Sequence, residues 1–175
     1  MKPADELRHL FIGQHPEEQG ECFAIIWFNV SCPGNANQVL QNSREVLAIV
    51  LRQYEKNWLS ENEWREVLPR WFVEGCAPES TEEENEENLA NWRTLSREEQ
   101  IREEEEEFWS VMEWISWFEP TEERYWFWWD AVVKAPNLLL VAVEVVDCIY
   151  PSVSLEWLLR ASGAIKVEEA KGIVI

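Results

Sequence analysis

The chain has 175 residues, 46% of them apolar, which is enough to bury a sizeable single core and excludes wholesale disorder. Fifteen Lys and Arg face 34 Asp and Glu, a net charge of −19. That balance argues against binding nucleic acid or an anionic membrane, both of which need cationic patches, and it favours a basic partner or plain solubility.

Asp5 to Ile12 reads as a short helix stopped by Gly13. The preceding residues, Met1 to Glu6, carry early acids and no apolar h-region. No secretory signal is expected there, and the default location is the cytoplasm. Cys22 to Val30 reads as a strand with two apolar faces, hence central between layers. Asn37 to about Asn57 has helical spacing, with Val39, Ser43, Val46, Leu47, Val50 and Tyr54 on one side. Ser60 with Glu63 forms a capping box that starts another helix. Pro69 should kink or split it, and Gly75 should stop it.

Pro78 to Glu87 is the most polar segment, around which 78–90 reads as a mobile loop or a solvated helix start within one domain. A second capping box, Ser96 with Glu99, predicts a helix from about Arg97 to Phe118. Tyr125 to Lys134 and Leu138 to Asp147 alternate as two strands joined at Ala135-Pro136-Asn137. Leu155 to Ala161 is a short helix stopped by Gly163, and the tail Ile173 to Ile175 could add an edge strand. The expected fold is α+β: a small antiparallel sheet, made of a central strand and a C-terminal hairpin, packed by about four to five helices.

Half of the twelve tryptophans lie between Glu103 and Trp129. On a continuous 97–118 helix, Ile101, Phe108, Val111, Met112, Ile115 and Phe118 form the core stripe. Trp114 and Trp117 then fall on the outer side with Glu103, Glu106, Ser110 and Glu113. Large aromatics with a charged rim are the stuff of protein interfaces. In the hairpin, an even register puts Tyr125, Phe127, Trp129, Ala131 and Val133 on the core face. Trp126, Trp128 and Asp130 then share the other face with Glu144. Asp130 and Glu144 beside tryptophan suit an Arg or Lys side chain, through ion pairing and cation–π contact. They also suit an acid/base pair of the glycosidase kind.

The chain lacks G-x-S-x-G, a Gly-rich phosphate loop and H-E-x-x-H. Cys22, Cys32, Cys76 and Cys148 are scattered, and His9 and His15 are six apart. Neither set has a metal-ligand spacing, so no metal or cofactor is expected. In size and charge, though by no motif, the chain resembles the small acidic immunity or inhibitor proteins that neutralise basic nuclease-type toxins in bacteria. The expected function is therefore that of a non-catalytic interaction protein with a basic protein partner. The alternatives are a small-ligand protein or hydrolase-like enzyme built on Asp130 and Glu144, and a structural or regulatory domain whose acidity serves solubility alone. The sequence leaves the oligomeric state open.

Overall fold

The computed structural model describes residues 1–13, 24–99 and 109–170. Among these the elements run α1 (Pro3–Ile12), β1 (Ala24–Ser31), α2 (Ala36–Gln53), α3 (Glu61–Val67), α4 (Arg70–Gly75), α5 (Glu82–Trp92), α6 (Val111–Ser116), β2 (Trp126–Ala135), β3 (Leu138–Val145), α7 (Val153–Ala161) and β4 (Lys166–Glu169). The fold is α+β. Four antiparallel strands lie in the order β2-β3-β1-β4, with β1 internal as its two apolar faces require. The fourth strand is Lys166–Glu169; the edge strand expected at residues 173–175 lies outside the described residues.

Local signals place most boundaries. Pro69 divides α3 from α4 because a proline cannot continue the first helix yet can open the second. The Ser60–Glu63 box caps α3, with the Ser60 amide 2.8 Å from Glu63 Oε2. Pro136-Asn137 forms the hairpin turn. In the polar segment a helix forms: Thr81 and Glu84 make a reciprocal box that opens α5, which is largely exposed.

One face of the sheet builds the core. Phe28 and Val30 of β1, Leu139, Val141, Val143 and Val145 of β3, and Trp126 and Trp128 of β2 are all buried there. Val39, Leu47, Val50 and Leu51 of α2, and Leu155, Leu158 and Leu159 of α7, belong to the same cluster. So do Trp64, Phe72, Trp114 and Phe118. Fully burying one such large side chain contributes roughly 1.5–3 kcal/mol, so these elements are held chiefly by their apolar faces.

Two expectations are corrected. A single helix does not run from Arg97 to Phe118. Helix starts after Ser96, whose amide is 2.9 Å from Glu99 Oε2, but residues 100–108 lie outside the described residues. The chain is then extended at Ser110, with ψ 166°, before α6 begins. Ser110 and Glu113 form a further capping box, which restarts the helix and resets its phase. Val111, Trp114, Ile115 and Phe118 now turn inward together.

The hairpin parity is also corrected. Ala131 and Val133 pair with Val141 and Leu139 as expected, but a bulge falls between Trp128 and Asp130. The extra residue, Trp129, reverses the alternation on its N-terminal side. Trp128 therefore pairs with Val143 and Trp126 with Val145, on the core face. Phe127 takes the opposite face, across from Glu144.

Candidate functional site

The residues singled out by sequence separate into three groups. Trp114, Trp126 and Trp128 are core residues with exposures of 0%, 3% and 0%. Trp114 stacks at a tilt on Phe118 and edge-on to Phe72, and its indole N–H donates to the Ser154 carbonyl at 2.9 Å. Trp126 Nε1 donates to Ser154 Oγ at 3.0 Å. These two indoles thus hold α7 against α6 and β2 with polar as well as apolar contact.

Asp130 lies opposite Ala142, on the same face of the sheet as Glu144 and two positions along β3 from it. Glu144 is buried at 2% exposure, between Phe127 and Ile25 on the neighbouring strands. Asp130 turns instead to the helices beside β2. Its Oδ1 accepts from the Ala131 amide at 2.7 Å and lies against Gly13 at the end of α1. Its charge also faces Arg44 of α2, whose basicity is lowered by burial and partly restored by Asp130. Glu106 lies outside the described residues.

Trp117 and Glu113 remain near solvent, and they belong to a larger aromatic surface. Trp109 stacks on Trp117 with centroids 5.8 Å apart and on Trp157 at 6.5 Å. Tyr125 meets Trp117 edge-on at 6.4 Å. Trp157 is the buried end of this ladder, Trp109 and Trp117 are half-buried, and Tyr125 is 38% exposed. The backbone fixes its geometry. Ala77 and Ser110 form a parallel bridge, and the Ala77 amide donates to the Trp109 carbonyl at 3.0 Å. Glu79 Oε1 accepts from the Met112 amide at 3.1 Å and from Arg65 at 3.3 Å, securing the start of α6. Glu113, exposed and one turn before Trp117, accepts from the Ser110 amide at 2.6 Å. Trp109 and Tyr125 were not singled out because the sequence put Trp109 inside an unbroken helix and Tyr125 on the hairpin's core face, a parity that the bulge reverses.

The carboxylate-and-aromatic grip on a cation does occur, inside the molecule. Arg124 donates through both terminal nitrogens to Glu6, at 2.6 and 2.8 Å. The two side chains are 7% and 0% exposed. Tyr54, Phe118, Trp126 and Phe127 surround the guanidinium, with ring centroids 5.9, 5.2, 5.7 and 4.6 Å from it. The Tyr54 hydroxyl donates to the Phe118 carbonyl, closing this box. Burial opposes the Arg124 charge, but the Glu6 carboxylate prevails and leaves the guanidinium more basic than an exposed arginine.

Glu6 also ties α1 to the outer edge of the sheet. Its Oε1 accepts from the Trp128 amide at 2.8 Å. His9 Nδ1 lies 2.9 Å from the Trp129 carbonyl, and since a carbonyl only accepts, this nitrogen carries the proton. The imidazole stacks on the Trp129 ring at 4.3 Å. The edge strand β2 is thereby covered by side chains of a helix.

Among the described residues three cysteines, Cys32, Cys76 and Cys148, are free thiols in different surroundings. Burial pushes the Cys76 thiol up to about 12 and also raises Cys32. Cys148 is exposed, and its bond to the Asp147 carboxylate raises its pKa. Among the described residues, no three His, Cys, Asp or Glu side chains are grouped to hold a metal, and no helix is long and apolar enough to cross a membrane. No family model matches the chain, and comparison with curated proteins and with solved structures finds no match to it either.

Proposed function

We propose that the protein is a non-catalytic interaction protein that binds a basic protein partner through the ladder of Trp109, Trp117 and Tyr125. One observation carries this reading: the half-exposed rings sit in an acidic stretch. Between Trp109 and Tyr125 the chain carries Glu113, Glu119, Glu122 and Glu123 against one cation, Arg124. That cation is buried on Glu6, so the stretch faces solvent with carboxylates. Rigid aromatic rings supply contact area at small entropic cost, and the carboxylates supply attraction and orientation. The net charge of −19 extends that attraction over a Debye length, about 8 Å at physiological salt. An inhibitor or immunity role is one form this function would take. The hydrolase-like alternative has less support, because Trp126 and Trp128 are enclosed and Asp130 turns away to α1 and α2.

The test is a titration with a tryptophan-free, arginine-rich peptide, followed through the protein's own fluorescence. Binding should weaken at least tenfold in a Trp109→Ala/Trp117→Ala variant, and at about 0.5 M salt. A control with Glu86→Gln and Glu87→Gln on α5 should bind nearly as the parent does. No weakening by the tryptophan pair, or weakening no greater than that of the α5 control, would reduce the acidity to solvation.

A further inference from the structure

The docking of α1 has the form of a ligand in a site. Everything that receives it comes from elsewhere in the chain. Arg124 offers a forked pair of donors inside the box of Tyr54, Phe118, Trp126 and Phe127. The outer edge of β2 offers the Trp128 amide, the Trp129 carbonyl and the Trp129 ring. What α1 contributes is compact: the Glu6 carboxylate, the His9 ring and the apolar side of Leu7 and Leu10. Arg124 and Glu6 are 118 positions apart, so the pair owes nothing to local chain geometry. One covalent link, through Gly13 and the ten residues 14–23, joins α1 to β1. A link of that length spans up to about 33–36 Å when extended, which is wide enough to reach a neighbouring molecule.

We propose that Arg124 and the outer edge of β2 form a receptor for an acidic amphipathic helix, and that a second copy of this chain fills it by exchanging α1. An identical helix brings the same carboxylate, imidazole and leucines, so exchange costs no contact; concentration decides which copy supplies it. The receptor does not stay empty, because that would strand a buried guanidinium and an unpaired edge amide. Two chains of charge −19 repel one another, so screening by salt promotes exchange. That salt dependence is opposite in sign to the one expected for a basic partner.

Complementation between two defective chains tests this. Glu6→Gln spoils the helix and leaves the receptor whole; Arg124→Gln spoils the receptor and leaves the helix whole. Each is run alone and mixed in equal amounts at high concentration, in reducing buffer with about 0.5 M salt. Size-exclusion chromatography with light scattering should show a one-to-one dimer in the mixture, at least tenfold more abundant than in either variant alone. A mixture that equals the sum of its parts overturns the proposal. If the variants do not fold, two wild-type preparations of different isotopic mass are warmed together just below their unfolding transition, cooled, and examined by native mass spectrometry. Mixed-mass dimers that increase with salt support exchange, and their absence at every concentration overturns it.

Discussion

Glu6 and Arg124 form an ion pair almost without solvent, at 0% and 7% side-chain exposure, which makes their coupling measurable. In Glu6→Gln the amide oxygen can still accept from the Trp128 N–H, so the change isolates the charge. Arg124→Met keeps an apolar stem among the rings and leaves the Glu6 carboxylate buried. Removing one member of a buried pair costs about 3–5 kcal/mol, whereas replacing both with packed neutral groups is often close to neutral. At about 2–4 °C per kcal/mol for a chain of this size, each single variant should lose roughly 6–20 °C in Tm. The double variant should lose far less than the sum, leaving a coupling of more than roughly 3 kcal/mol. Urea denaturation read by tryptophan fluorescence and far-UV circular dichroism gives all four corners of the cycle. Additive losses, within about 0.5 kcal/mol, would show that the pair does not act as a unit.

Other substitutions probe separate features. Gly13→Ala should cost about 1–3 kcal/mol, since only glycine sits easily at its φ of 80° and ψ of −170°. The new Cβ would also lie 2.7 Å from Asp130 Oδ1, so adding Asp130→Ala should recover the contact part of the loss and not the backbone part. Ser110→Ala removes the cap of α6 and should cost about 1 kcal/mol in urea melts, with fluorescence changes from Trp109 and Trp117; an unchanged spectrum would mean the cap does not position the ladder. Of the three described cysteines, iodoacetamide at mild alkaline pH should label Cys148 first, and faster as pH rises, with half-buried Cys76 and buried Cys32 labelling more slowly; Cys76 labelling as fast as Cys148 would contradict its raised pKa. The Cys76 thiol is raised from 9.0 to about 12, so the folded state keeps its proton where the unfolded state loses it. Stability relative to Cys76→Ala is then greatest below pH 9 and declines as pH climbs towards 12; a flat difference across that window would refute this.

Much of the fold was legible because its signals are local. Proline at 69, the Ser60 and Ser96 boxes, the Pro136-Asn137 turn and the alternation from Ala131 to Val143 each act over a few residues; the Thr81–Glu84 box is equally local but went unread in a segment taken for a loop or solvated helix start. The candidate site was less so, for two physical reasons. The single inserted residue Trp129 reverses every side chain N-terminal to it, and nothing in the run Trp126 to Asp130 marks which residue bulges. The Ser110–Glu113 box was present in the sequence, but the apolar stripe around it reads equally well as an unbroken helix. Glu6 did leave a trace: it shares its face of α1 with Leu10, and a carboxylate on an apolar face needs a partner. Its partner, 118 residues on, leaves no such trace.

The Trp128 amide has its own consequence. A peptide N–H in a sheet is usually shielded from water by another strand, so its exchange with solvent deuterium reports on the sheet. This one is bonded to a carboxylate from α1. Its exchange rate therefore times the undocking of a ten-residue helix, while amides between β1 and β3 time the opening of the whole core. The protection factor of the Trp128 amide alone gives the free energy that holds α1 in place, and the added protection of the β1–β3 amides gives how much more it costs to open the core.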